Sequence, residues 1–488
     1  MQKRWVPIFL FTSAFALYFF TRGIGLDDWD SVQFAMGTRQ FDLWRHQPHP
    51  PGYPLFIFFA RVLNGVFHSG PEFSLHLISC FGGALFISMW FLIARAYFGE
   101  PSALLLSISL AVTAIVWMTA TRAISDASAA GLISVELYYT LRHRETGRRG
   151  ALASAALFGA AAAGIRPQLS FVAAIILATN LGGRARTKLF GLGLFAGACL
   201  IWLLPMWYLQ WSLRSELPLW QVYPELVFGQ WAWRLDKPLA YIGAGDWSYS
   251  YFADRFVSHI LGWFTLGLGI SRWSWSLIIG AGVIAAGITI YVIKFQNRDR
   301  QFWKANAPWA SVHVASIFCF AKWEQRYYLL IFPLLLVSCL SGYLRLPKLW
   351  KLLALALPGL LLVISVPLAV QNHTEPGPAI RLVRFLGDHY PPSERDKVVL
   401  FLGDTWRTAE WYAPEFRLFS STQSAMEPGL LEQALAVYTD DVTVELPPGW
   451  RLIFIASFSR PDLISPKQNP IDLYRVDPEQ SGALDQGR

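Results

Sequence analysis

Charge is scarce in this chain: Asp, Glu, Lys and Arg make up 15% of 488 residues, whereas hydrophobic types make up 54%. A soluble protein of this length needs more polar surface, which leaves a polytopic membrane protein. Cysteine is scarcer still, and Cys80, Cys199, Cys319 and Cys339 each fall inside an apolar stretch with no CxxC spacing. That argues against a disulfide framework and against a zinc site. No basic run interleaved with aromatics is present, so nucleic acid is not an expected partner. The excess of 41 Lys and Arg over 33 Asp and Glu is assigned to cytoplasmic loops and anionic lipid. Internal repeats and low-complexity tracts are missing as well.

Aromatics are abundant, with 22 Trp and 18 Tyr, as expected where amphipathic rings settle in the headgroup layer. The apolar segment Trp5 to Phe20 follows Lys3 and Arg4 and has no small-residue cleavage site, so it is expected as a retained first span that starts inside. Basic clusters recur at Arg142 to Arg149, Arg184 to Lys188, Lys294 to Lys304 and Arg345 to Lys351. All of them are cytoplasmic only if Tyr53 to Phe67 does not cross. That stretch falls short of the ~20 residues a spanning helix needs, so a juxtamembrane helix from Pro54 along the outer surface is expected. The remaining spans lie at about 5–22, 73–96, 102–119, 125–141, 150–165, 168–182, 188–208, 273–293, 305–321, 327–343 and 352–370, with 256–271 at the interface.

The expected fold class is therefore a polytopic α-helical membrane protein of about eleven transmembrane helices, with a small C-terminal extracytoplasmic α/β domain. Residues 1–371 form the membrane domain, with an outer loop at 26–72 and an outer aromatic loop at 209–258. Residues 372–488 form the second domain: Ile380 to Asp388 reads as an amphipathic helix, and Val398 to Leu402 and Leu452 to Ser457 read as strands.

Chemistry concentrates just after the first span. Asp27, Asp28 and Asp30 form an acidic cluster, followed by His46-Gln47-Pro48-His49-Pro50-Pro51-Gly52-Tyr53-Pro54. Asp28 and Asp30 suit a general base or a divalent-cation ligand pair, against the alternative of solvated loop charges that orient the first span. Prolines stiffen the backbone around His49, which can face a lipid phosphate or be simply exposed. Further charges fall at the expected outer mouths of helices: Arg122 and Asp126, Arg166 beside Pro167, and Lys322, Glu324, Arg326 and Tyr327. An ionisable residue at membrane depth is a functional candidate by default, and arginine offers a fork matched to phosphate oxygens. Snorkelling anchors at helix ends are the plain alternative.

Asp-Asp-Trp-Asp-Ser-Val-Gln-Phe-Ala at 27–35 followed by His-Pro-Pro-Gly-Tyr-Pro-Leu at 49–55 resembles the GT-C superfamily of integral membrane glycosyltransferases, in its protein O-mannosyltransferase and aminoarabinose-transferase branch. The likeness covers about 1–345, is strongest over 26–60, and extends to Arg122 to Asp126 and Arg326-Tyr327-Tyr328-Leu329. It implies a polyprenyl-phosphate sugar donor, an inverting transfer to an acceptor hydroxyl on a protein, lipid or glycan, and a bacterial inner membrane with its active site on the periplasmic face. It puts the base on Asp30, with Ser31 where the family has a second acidic residue. That departure leaves Asp28 in question. Asp126 holds the place of the second outer loop's acidic residue. Arg166, Arg326, His49, Arg122 and Tyr327 are the candidates for the donor phosphate. No cofactor is required by the likeness, although a divalent cation on Asp28 and Asp30 is compatible with it. The rival class is a transporter or flippase for a lipid-linked saccharide, which calls for ionisable residues in mid-span and paired broken helices.

Overall fold

A computed structural model describes residues 5–181, 185–226, 275–320, 325–403, 405–421, 426–460 and 470–479. The chain divides into two compact units, one of residues 1–22 and 34–373, the other of residues 23–33 and 374–488.

The first unit is helical. Helix α1 (Trp5–Phe20) is followed by α2 (Trp29–Arg39), whose later residues belong to this unit, then by α3 (Pro54–Phe67), α4 (Pro71–Phe98), α5 (Glu100–Ala111), α6 (Ala114–Ala120), α7 (Asp126–Thr146), α8 (Arg149–Ile165), α9 (Ser170–Asn180) and α10 (Ala185–Leu213). Among the described residues, helices Leu219–Pro224, Trp275–Ile293, Asn297–Phe320, Phe332–Leu344 and Lys348–Thr374 follow. By length and apolar composition, three described helices can cross a bilayer, and a fourth span arises if α5 and α6 count together. Those two are one apolar run in the sequence, expected as a single span, yet they meet at 60°. Polar side chains explain the break. Ser107 donates to the carbonyl of Ala103 and Thr113 to that of Ser109, and such back-bonding bends helices.

Small residues set the packing of this unit. A Cβ on Gly82 of α4 would lie 2.2 Å from Ser128 Cα on α7, and one on Gly131 would lie 2.5 Å from the Gly82 carbonyl oxygen. Backbones this close allow hydroxyls to bridge helices. Ser79 donates to the Ile124 carbonyl at 2.6 Å and Ser128 to that of Ile78 at 3.0 Å. The seam fixes the N-terminal end of α7, where Asp126 sits. A second seam joins Trp275–Ile293 to Phe332–Leu344, where a Cβ on Gly342 would lie 2.0 Å from the Gly287 carbonyl oxygen.

The second unit holds a five-stranded sheet of order β2-β1-β3-β5-β4, built from β1 (Val398–Leu402), β2 (Arg417–Ser420), β3 (Ala436–Thr439), β4 (Trp450–Phe458) and β5 (Ile471–Pro478). Strands β2, β1 and β3 run parallel, while β5 is antiparallel to both β3 and β4. Central strand β1 is buried along its whole length, as an all-apolar parallel strand covered on both faces should be. Its side chains alternate: Val398, Leu400 and Leu402 pack with Leu382 and Leu386 of helix Pro378–His389, and Val399 and Phe401 pack with Leu431, Val437 and Val476.

Candidate active site

The N-terminal end of α7 and the C-terminal end of α8 bring together residues that are distant in sequence. Arg166 leaves α8 in an extended conformation, as the residue before a proline tends to, and this turns its side chain toward α7. Its guanidinium lies 2.9 Å from an Asp126 oxygen and donates to the Ser125 hydroxyl at 3.1 Å. Arg326 reaches the same Asp126 oxygen at 3.8 Å from the turn Gln325–Tyr328. Between the two arginines stands the Tyr327 ring, whose centroid is 5.2 Å from one guanidinium carbon and 5.4 Å from the other. His313 holds this turn in place, with its Nε2 2.9 Å from the Tyr327 carbonyl oxygen. Asp126, Arg166, Arg326 and Tyr327 therefore form one cluster. Arg122 is buried in the tight turn between α6 and α7 that leads to Asp126.

His49 occupies a neighbouring polar group in the same unit. Its Nε2 lies 2.8 Å from the Tyr53 hydroxyl, which also accepts from Gln168, two residues beyond Arg166, at 2.8 Å. Phe34 of α2 packs edge-on against Tyr53, with ring centroids 4.8 Å apart. Gly52, at φ +120°, turns the chain into α3 just before this tyrosine.

The acidic residues belong to the second unit; Asp27 and Asp28, in the segment that leads into α2, are buried, contrary to the exposed loop expected from the sequence. Asp28 is 2% exposed and caps α2: its Oδ1 accepts from the Asp30 amide at 2.8 Å, and the Ser31 hydroxyl accepts from the Asp28 amide at 3.1 Å. This reciprocal pattern is that of a capping box, with Ser31 in the place where the resemblance has a second acidic residue. Asp30 lies half-buried in the first turn of the helix, where the macrodipole favours a carboxylate. Asp27 forms a buried pair with Arg460 at 3.6 Å.

Sequence reasoning missed three contributors. Gln168 carried no signal beyond its nearness to Arg166. Arg460 lies in a segment that matched no motif. Glu136 was visible as a lone carboxylate inside a span, and it is fully buried in mid-α7 with no hydrogen-bond partner for either oxygen. Lys322 and Glu324 fall outside the described residues, as do Trp231, Trp233, Tyr241, Trp247, Tyr249 and Tyr251 of the aromatic loop and the expected interfacial segment 256–271. Among the described residues, no group of three or more His, Cys, Asp or Glu comes together to hold a metal ion.

In fold, the chain is similar to the solved structures of ArnT. It superposes on ArnT from Cupriavidus metallidurans in the apo state with a TM-score of 0.56 and 14% identity, over 96% of this chain and 97% of that one. The same enzyme bound to undecaprenyl phosphate matches with 13% identity and a TM-score of 0.56, over 97% and 98%. The oligosaccharyltransferase of Archaeoglobus fulgidus gives 14% identity and a TM-score of 0.49, over 90% of this chain and 69% of that one. Residues 48–209 match the family described as dolichyl-phosphate-mannose-protein mannosyltransferase. A search among curated proteins gave no match.

Proposed function

We propose that the protein is an inverting glycosyltransferase that moves a sugar from a polyprenyl-phosphate donor to an acceptor hydroxyl at the extracytoplasmic face of a bacterial inner membrane. The observation that carries this reading is the convergence of Arg166 and Arg326 on one carboxylate and one ring. Each guanidinium presents five N–H donors in a rigid fork suited to phosphate oxygens. In this reading Arg166 and Arg326 receive the phosphate, Asp126 and Tyr327 hold the two forks in place, and His49 and Arg122 add donors. Asp30 accepts the proton of the acceptor hydroxyl as its oxygen bonds to the anomeric carbon. The bond from that carbon to the phosphate oxygen breaks, and its electron pair leaves with polyprenyl phosphate. Asp28, already the cap of α2, orients Asp30. The acceptor hydroxyl belongs to a protein, a lipid or a glycan.

The domain boundary near 371 and the eleven crossings belong to the same proposal and rest on the positive-inside count. Cysteines introduced at Thr146, Arg298 and Leu430, in a background without native cysteines, test it. Only position 430 should react with an impermeant thiol reagent in intact cells; labelling at 146 from outside would overturn the count.

Two observations favour the transporter reading: the unpartnered Glu136 in mid-α7 and the bent pair of α5 and α6. Nanodiscs separate the two, because they enclose no compartment and transport is silent in them. The protein in nanodiscs should release free polyprenyl phosphate from the lipid-linked sugar that accumulates in a deletion strain, once acceptor extract is added. Intact donor after prolonged incubation, with redistribution of that lipid in liposomes, would establish the transporter instead.

A further inference from the structure

The segment that carries the proposed base is stitched to the sheet unit by contacts from its N-terminal half. The Leu26 amide donates to the Tyr412 hydroxyl at 2.7 Å across 386 residues of chain. Asp27 meets Arg460 at 3.6 Å, with side chains 7% and 1% exposed. Trp29 packs edge-on against Trp406, with centroids 6.4 Å apart. Backbone fits at two further places. Gly25, at φ +73°, presses so closely that a Cβ there would lie 2.7 Å from Ile380 Cδ1 and 2.8 Å from the Tyr412 hydroxyl oxygen, and a Cβ on Gly377 would lie 2.7 Å from that of Asp27. The anchors come from helix Pro378–His389, from helix Trp406–Tyr412 after β1, and from the segment just after β4.

We infer that the C-terminal unit positions the base, with Tyr412 and Arg460 as positioning residues that fix residues 25–29 and so the register at which Asp28 caps α2 and presents Asp30. The inference rests on the reading of Asp30 as the base. A freed loop frays the first turn of α2, and a carboxylate held loosely loses the alignment that proton transfer requires. Substrate binding by the cationic cluster of the first unit does not depend on these anchors.

The test uses the full-length protein in nanodiscs with two readouts, amide exchange over residues 23–33 and steady-state kinetics. Tyr412→Phe removes one oxygen and Arg460→Gln removes one charge. Melting temperatures confirm that both variants are folded. Each should speed exchange of the Leu26 amide at least tenfold and lower kcat at least tenfold, with KM for the lipid donor within twofold of the parent. Arg460→Lys should recover most of kcat. The double variant Asp27→Asn with Arg460→Gln should be no slower than Arg460→Gln alone, because both changes break one contact. Arg475→Gln, on the outer sheet pair with Asp477, should leave both readouts unchanged. Unchanged exchange, or faster exchange with parental kcat while Asp30→Asn is inactive, overturns the positioning role and leaves the base standing. Parental kcat in Asp30→Asn overturns the base and with it the inference, whatever the exchange data show.

Discussion

The cationic cluster and the acidic turn both place ionisable groups out of water at helix ends, but they satisfy them in opposite ways. Around Asp126, two guanidiniums share one carboxylate and one ring, so donors outnumber acceptors among those side chains. In the turn at 27–31 the carboxylates take different tasks: Asp27 pairs with Arg460, Asp28 caps a helix, and Asp30 sits half-buried in the first turn. Proximity in sequence is thus a poor guide to shared function. The three aspartates are neighbours with distinct jobs, whereas Asp126, Arg166 and Arg326 span 200 residues and act on one place.

The sharpest way to break this comparison is at Asp30. Asp30→Asn should fold and bind donor normally while turnover falls by roughly 10²-fold or more, the scale of a lost acid-base group. Near-parental transfer by the purified variant would erase the division of labour in the turn and return Asp28 to the position of base. The cluster is tested by Arg166→Gln and Arg326→Gln, each measured against a short-chain polyprenyl-phosphate sugar. Loss of a charged hydrogen bond costs about 2 kcal/mol, or roughly 30-fold in Kd, with kcat at saturating donor much less affected. Unchanged affinity in both would make these arginines anchors of Asp126 and nothing more.

The two regions were unequally legible in the sequence. Long apolar runs gave helices such as α4 and α10 because hydropathy integrates over many residues, and the five apolar residues of β1 stood out between turn formers. Arg166 and Arg326 could be nominated because an arginine at membrane depth is costly and rarely idle. Their convergence was not legible, since it depends on the glycine seam that sets α7 against α4 and on an extended residue before Pro167. The turn was harder. Asp28 and Ser31 have the spacing of a capping box, but the acidic run drew the reading toward an exposed loop. Arg460 and Tyr412, which hold that turn, lie hundreds of residues away with no periodic signal. Hydropathy was also blind to the break between α5 and α6, which hydroxyls cause inside an apolar run.

A smaller effect sharpens the assignment of Asp28. If capping is its task, Asp28→Ser, which restores a good cap, should keep most of the turnover, while Asp28→Ala should destabilise the N-terminus of α2 by about 1 kcal/mol, seen as faster amide exchange at residues 30–32. A loss of turnover in Asp28→Ser equal to that of Asp30→Asn would make both carboxylates chemical.

The smallest expected effect concerns a third acidic site, which shows what a purely structural carboxylate looks like in the same unit. Burial pushes the Asp441 carboxyl upward, but hydrogen bonds from the Thr443 hydroxyl at 2.7 Å, the Thr443 amide at 2.9 Å and the Ser421 hydroxyl at 2.8 Å outweigh it and hold the group below its ordinary range. A carboxylate depressed in the folded state stabilises the fold fully above its unfolded value, near 3.9, and loses that contribution as pH falls through the lower folded value. Asp441→Asn should therefore cost about 1 kcal/mol or less at neutral pH, with the difference from the parent constant down to about pH 5 and shrinking only below about pH 4. Thermal melts of both proteins across that range check it, and kcat at neutral pH should match the parent. A gap that is larger at pH 5 and closes as pH rises to 7 would mean that the Asp441 value is raised and not lowered, and that the hydrogen bonds from Thr443 and Ser421 do not prevail over burial.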